Sequence, residues 1–309
     1  LSFDEERAID ELLSMLRGAL RVLRPQGLLL SGGIDSGLLM CLCPDLVALS
    51  VSLEDQGADL HYVDIIKRYL GVRIEVIKIS INEALAAIPK VIEILSSFDP
   101  ALPNDLAVYF GLRAFLQLKV EKVATGDGAD ELFGGYEYMQ NLKDLRSYQL
   151  SLIPYLSFSS AKLGKALGIE VLQPFLSAQM VRFALEIPNH WKIRQEKGKN
   201  FGKWLLRKAL SRFLPEDYVW QEKRPLEIGT GMVYLRKLIS QWITDEEFER
   251  KKRLYGMTFY CKEHLYFFEI FKEVIGEIPP PKEGEIPCPN CGAGKQPGSK
   301  HCKVCGVLS

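Results

Sequence analysis

The sequence has no apolar run approaching the roughly 20 residues that a membrane-crossing helix needs, so no membrane partner is expected. It has no excess of either charge. Lys plus Arg is 39 and Asp plus Glu is 39, which removes any argument from bulk charge for a nucleic acid or a lipid surface. It has no regular cysteine framework either. The seven cysteines are odd in number, and four sit together near the C-terminus, a pattern against a secreted disulfide scaffold and for a reducing, cytoplasmic setting. The first residues, "LSFDEERAIDELL", are acidic and helical in pattern, without the basic and then apolar character of a signal peptide. No segment repeats another.

What is present is a real core. Of 309 residues, 47% are apolar, enough for one large or two ordinary domains. Helical spacing of Ile9, Leu12, Leu13, Leu16, Leu20 and Leu23 predicts a first helix, with Ser2 and Glu5 at capping-box distance. A strand near 27–30 follows, then a short helix over 38–42, a strand over 46–53, a helix over 61–71 closed by Gly71, and a strand over 73–79. Helices are expected over 82–96 and 104–118 and a strand over 121–126. Strand alternating with helix predicts an α/β fold, a parallel sheet with helices on both faces. After about residue 137 the strand signal fades and five stretches read as helices.

Two glycine loops end strands of this pattern. "SGGIDSG" (31–37) combines Gly32, Gly33 and Gly37 with hydroxyls at Ser31 and Ser36 and a carboxylate at Asp35. A plain turn needs one glycine. Here the backbone can approach an anion without Cβ clashes, the next helix aims its N-terminus at the same place, and Asp35 can hold Mg²⁺. The loop is neither a Walker motif nor a dinucleotide fingerprint. "GDGADELFGGY" (126–136) places Asp127, Asp130 and Glu131 within five residues, just before Leu132 and Phe133. Acids that close need a cation or an ammonium between them. Ligands in parallel sheets sit beyond the carboxyl ends of strands, so the two loops are expected to be neighbours.

The first loop resembles the SGGxDS loop of the N-type ATP pyrophosphatases, the PP-loop or adenine-nucleotide alpha-hydrolase-like fold, which cleave ATP between the α- and β-phosphates. The second resembles the GEGxDExFGGY signature of the asparagine synthetases. "GKWLLRKALSRFLPEDYVWQEKRPLEIGTG" is similar to that family's run of K…LR-x-A…LP…W-x-x-K…G-x-G, and "EVLQPFLS" to its E-x-R-x-PFLD. The resemblance covers about residues 1–275. It implies that Leu30, Ser31, Gly32, Gly33, Asp35, Ser36, Val51, Thr125 and Gly126 bind ATP and that Asp35 and Asp130 hold Mg²⁺. It implies that Lys223 stabilises charge developing at the α-phosphate, and that Asp127 takes a proton from the attacking nitrogen. The implied reaction adenylates a small carboxylate and joins it to ammonia or an amine, releasing pyrophosphate and AMP. Position 127 holds Asp where the family has Glu, and Leu172 and Ser177 replace the Arg and Asp of the PFLD stretch. The ATP chemistry survives these changes and aspartate stays unassigned as the acid. β-Lactam synthetases share the domain and the same motifs. No stretch matches the glutaminase half of the common enzymes, so nitrogen is expected from free ammonia, a separate ammonia-supplying subunit or another amine.

A Pro-rich linker (276–287) precedes a separate tail (288–309), "CPNCGAGKQPGSKHCKVCG", with Cys288, Cys291, Cys302 and Cys305 as two C-x-x-C knuckles, each followed by glycine. Four thiolates in so short a segment have no core to join and suit a structural Zn²⁺ ribbon, a rubredoxin-like iron being the alternative. The linker predicts a module that moves relative to the body. Lys295, Lys300 and Lys303 make it basic, compatible with a tRNA or protein partner. Two rival readings follow: a PP-loop tRNA-modifying enzyme that docks RNA through the ribbon, with Cys41 and Cys43 as its candidate thiols, and a nucleotide-binding regulator without chemistry. Cys41, Cys43 and Cys261 otherwise read as core.

Overall fold

The computed structural model describes residues 3–299 and 301–308; Ser2, expected to cap the first helix, and Lys300 of the tail lie outside the described residues. A helix α1 (Phe3–Leu23) leads into a five-stranded sheet of β1 (Gly27–Leu29), β2 (Val47–Leu53), β3 (Ile74–Ile79), β4 (Lys122–Ala124) and β5 (Glu170–Leu172). The strands run in the order β3-β2-β1-β4-β5, every pair parallel. Parallel neighbours need crossovers, supplied by α2 (Ile34–Leu42), α3 (Leu60–Leu70), and the pair α4 (Ile81–Leu95) and α5 (Leu102–Gln117). Alternate strand residues feed two cores. Leu28 and Ala48 join the cluster of α1, α2 and α3, while Leu49, Val51 and Leu53 join that of α4 and α5. The expected two-faced parallel sheet is thus present.

The chain winds outward from β1 to β3 and then returns to the other side of β1 with β4. The order reverses between β1 and β4, and such a switch point opens a crevice at the carboxyl edge. Both glycine loops end at this crevice.

Local departures have local causes. Helix α2 begins at Ile34, not near 38. Gly33 is extended (φ −78, ψ 171) and Ile34 is already buried, so Asp35 and Ser36 sit in the first helical turn. Strand β5 falls in the half read as helical, because three residues are too few to display alternation. A polar hairpin, Arg194–Glu196 with Lys199–Phe201, escapes for a similar reason; its turn takes positive φ at Lys197 and Gly198. The stretch 137–150 divides into a 3₁₀ turn (Glu137–Asn141) and a helix (Leu145–Leu152), because the Asp144 side chain accepts the Ser147 N–H and starts the second anew.

The tail is not a free module. Its strands Ile286–Pro287 and Gly294–Lys295 pair antiparallel, and its Cys288, Ala293, Cys302, Cys305 and Val307 are buried in one cluster with Phe98, Phe268 and Phe271 of the body. The Val304 carbonyl accepts the Phe98 N–H at 2.7 Å, and Asn290 accepts the Thr258 N–H at 2.7 Å. A ribbon this small hides its few apolar groups by lying on the body, and the linker's flexibility is irrelevant once it has docked. Among the described residues no helix is long and apolar enough to cross a membrane.

Candidate functional site

The two glycine loops touch. A Cβ on Gly126 would come within 2.8 Å of the Asp35 Cβ, so only glycine lets the second loop lie so close to the first. Around this contact opens a cavity of about 800 Å³. Of the residues expected to bind nucleotide, Leu30, Ser31, Gly33, Asp35, Ser36, Val51, Thr125 and Gly126 line it, as do Asp127, Asp130 and Lys223. Gly32 lies beneath, at φ +81 and packed against Asp59. Its carbonyl accepts Gln221 Nε2 at 3.2 Å, and the Gly33 carbonyl accepts Tyr218 Oη at 2.9 Å. Within the loop Ser36 Oγ accepts the Ser31 N–H at 3.1 Å. Hydroxyls and the second half of the chain thus fix the loop's shape.

At the centre stands a lysine whose role the sequence did not expose. Lys203 is buried, with Nζ 2.6 Å from Asp35 Oδ2 and 2.7 Å from Asp130 Oδ1. Lys223 Nζ reaches Asp130 Oδ2 at 2.8 Å. Two carboxylates and two ammoniums alternate. Burial alone would raise the Asp130 carboxyl, but Lys203 and Lys223 outweigh it and bring it down to about 2. Burial prevails at Asp35, whose pKa is raised despite Lys203. Burial would also depress the Lys203 ammonium, but Asp130 and Asp35 raise it. This is the ammonium that clustered acids require. Its trace in the sequence is the lysine opening the "KWLLRKA" run. Arg207 of that run donates to the carbonyls of Gly202, Val219 and Gln221, which ties the hinge before Lys203 to the segment that presents Lys223.

The residues present fit a divalent cation. Asp35 Oδ1 is buried without a hydrogen-bond partner, and Asp130 Oδ1 is buried with the Lys203 ammonium at 2.7 Å. Neighbouring carboxylates, one oxygen of which has nothing to accept, are the donors a hard cation selects. Glu131, also on the cavity lining, is engaged otherwise: its Oε1 accepts Tyr136 Oη at 2.6 Å.

In the second loop, three donors converge on Asp127 Oδ2: Thr125 Oγ1 at 2.7 Å, Ser160 Oγ at 2.5 Å and Gln173 Nε2 at 3.0 Å. Gln173 belongs to the "EVLQPFLS" stretch. Ser177 of that stretch caps the helix Ala178–Glu186. Beside Asp127, Asp105 also lines the cavity. Burial pushes its carboxyl from 3.8 up to about 7; the Ser159 hydroxyl opposes this and Asp99 adds to it. The folded chain therefore holds this proton more tightly than the unfolded chain. The stability it contributes is full below about pH 4 and is lost as pH rises through about 7. Asp105→Asn should be relatively more stable than wild type at about pH 8 than at about pH 5. Urea midpoints at the two values test this, and an unchanged difference would refute it.

Cys41, within α2, and Cys43, which caps its C-terminus, are half-buried against the core. Burial pushes the Cys41 thiol up to about 12 and raises Cys43 too, so neither is an activated thiolate. Cys261 is likewise half-buried.

The four tail cysteines converge, every sulfur within 4.8 Å of the others. Cys288–Cys305 and Cys291–Cys302 are each 3.8 Å apart. A tetrahedron with metal–sulfur bonds of about 2.3 Å has edges of about 3.8 Å, so the set fits a tetrahedral ion. Each knuckle closes with a glycine at positive φ, Gly292 and Gly306, whose N–H groups return to Cys288 and Cys302 at 2.8 Å.

Comparison with known proteins bears on the family. The family model described as asparagine synthase matches residues 9–165 and 149–264. A probable glutamine-hydrolyzing asparagine synthetase of Dictyostelium discoideum is 26% identical, over 91% of this chain and 57% of the relative. Asparagine synthetase B of Escherichia coli is 26% identical, over 81% of this chain and 50% of its own length. The chain thus spans about half the length of these curated relatives. Among solved structures, a U34-tRNA thiolase of Methanococcus maripaludis is 15% identical, covering 98% of this chain and 89% of that one at a TM-score of 0.35, too loose a likeness to bear on function. With its family model matched across both loops and both lysines, this chain belongs to the asparagine synthase family.

Proposed function

We propose that this protein is an ATP-dependent, AMP-forming ligase that adenylates a small carboxylate and transfers the acyl group to ammonia or an amine. The observation that carries the reading is the meeting of Asp35 and Asp130 where the two loops touch, both held by Lys203 and with Asp35 Oδ1 buried and unpartnered. Asp35 and Asp130 would hold Mg²⁺, whose charge, when it is bound, offsets that of the phosphates. The acid's oxygen attacks the α-phosphorus, and the bond to the bridging oxygen breaks. Pyrophosphate leaves into the 31–36 loop at the N-terminus of α2. Lys223, half-exposed at the cavity wall, swings from Asp130 to the charge developing on the α-phosphate. The nitrogen then attacks the acyl carbon, AMP departs, and the surplus proton passes to Asp127. Three donors occupy Oδ2 of Asp127, which leaves the proton to Oδ1. Zn²⁺ is the ion proposed for the four cysteines.

Supplied with ATP, Mg²⁺, ammonia and a panel of small acids, the protein should release pyrophosphate and AMP. ADP as the main product by chromatography would overturn the reading. Lys223→Ala should slow the reaction by about a hundredfold or more, and a near-wild-type rate would show that another cation does this work.

A further inference from the structure

The docked ribbon touches two segments of the body, and both run into one end of the cavity. The first is the loop before α5. Val304 O accepts the Phe98 N–H at 2.7 Å and Ser97 Oγ at 3.1 Å. His301 Nε2 lies 3.2 Å from Asp99 Oδ2, and Gly306 packs on Asp99 and Pro100 so closely that a Cβ there would come within 2.7 Å of both. The next residues of the chain form the first turn of α5, where Asn104 and Asp105 line the cavity. Asn104 Oδ1 in turn accepts the Glu227 N–H at 2.7 Å. The second is the turn at Tyr155, whose carbonyl accepts Lys303 Nζ at 3.1 Å. Three residues on, Phe158, Ser159 and Ser160 line the same end, and Ser160 holds Asp127.

Val304, His301, Lys303 and Gly306 all lie in or beside the second knuckle, so their positions depend on the ion that closes it. A ribbon of about twenty residues buries too little to fold without its metal. We propose that the metal-loaded ribbon is a positioning element of the active site. It clamps the 97–101 loop and the Tyr155 turn, and so sets the wall, Asn104, Asp105 and Phe158–Ser160, against which the acid or amine binds. Among the described residues, no hydrogen bond or ion pair joins the ribbon to the proposed nucleotide end, built on β1, α2 and β4. The identity of the clamped end as the acceptor end rests on the functional reading above.

The test uses the full chain, stripped of metal by a chelator under reducing conditions and then reloaded with Zn²⁺ alone. Metal analysis of the loaded chain should give about one zinc. On stripping, amides of 97–108 and 153–160 should exchange hydrogen roughly tenfold faster, those of β2 should stay within about threefold, and reloading should reverse the change. Affinity for Mg²⁺-ATP should change by less than about threefold. His301→Ala combined with Lys303→Ala leaves all four cysteines and both knuckle glycines in place but removes the side-chain contacts to Asp99 and to the Tyr155 carbonyl. It should keep its zinc and still show faster exchange at 97–108 and 153–160. Unchanged exchange there in both the stripped chain and this double variant overturns the proposal, as does a uniform loss of protection across the sheet. A stripped chain that loses the Mg²⁺-ATP binding of the loaded one overturns it too. A loaded chain that binds no Mg²⁺-ATP counts instead against the functional reading, while the exchange data still decide the clamp.

Discussion

Asp130→Asn should abolish ATP–pyrophosphate exchange, by about a thousandfold or more, and cost little stability. Both halves follow from the alternating charges. Asp130 shares the Lys203 ammonium with Asp35, and removing its charge removes half of the proposed cation site. The surviving charges still balance locally. Lys203 keeps Asp35 at 2.6 Å, and the ammonium left alone is Lys223, whose side chain is 40% exposed and can turn to water. The stability cost should therefore be that of lost hydrogen bonds, about 1–3 kcal/mol. Exchange of labelled pyrophosphate into ATP and a urea midpoint are the two measurements. Full exchange by the variant would remove Asp130 from the reaction.

The sheet was legible because burial on both faces leaves continuous apolar strands, such as "LVALSVSL", between helices of clear period. Both glycine loops were legible because glycine, acid and hydroxyl together are wasteful in a plain turn. What the sequence hid is what depends on distant partners. Lys203 looks like any lysine ahead of a helix until folding places it between acids from two loops far away in the chain. Ser160 and Gln173 carry no signature, and their meaning is a shared oxygen of Asp127. Asp105 reads as an ordinary acid in a first helical turn, and only the cavity wall raises its pKa. The tail shows the converse error. Its cysteine spacing correctly brought four sulfurs together, but a proline-rich linker says only that a segment is able to move. Whether it does depends on what it meets, here the buried ring of Phe98 and the backbone beside it.

Lys203→Met should be costly in stability as well as in exchange, the opposite balance to Asp130→Asn. With the ammonium gone, Asp35 and Asp130 face each other in a buried site, with Lys223 on Asp130 and the Arg207 guanidinium acting on both from farther off. Breaking a buried pair in this way costs about 3–5 kcal/mol. Two close carboxylates cannot both ionise cheaply, so one of them takes a raised pKa. The sign follows: protonating that carboxyl relieves the repulsion, so the variant should be closest to wild type in acid and lose ground as pH rises. A divalent cation can take over the lysine's electrostatic role, because its loss frees Asp35 Oδ2 and Asp130 Oδ1, and Asp35 Oδ1 is already without a hydrogen-bond partner. Added Mg²⁺ should therefore raise the variant's urea midpoint more than that of wild type, where Lys203 already neutralises the pair. Exchange should still fall by about a hundredfold or more if the proposed reaction holds, since Lys203 lines the cavity where pyrophosphate would depart. A variant as stable as wild type without Mg²⁺ would show that Lys203 does not balance the two acids. A midpoint that ignores Mg²⁺ would show that Asp35 and Asp130 do not form its site.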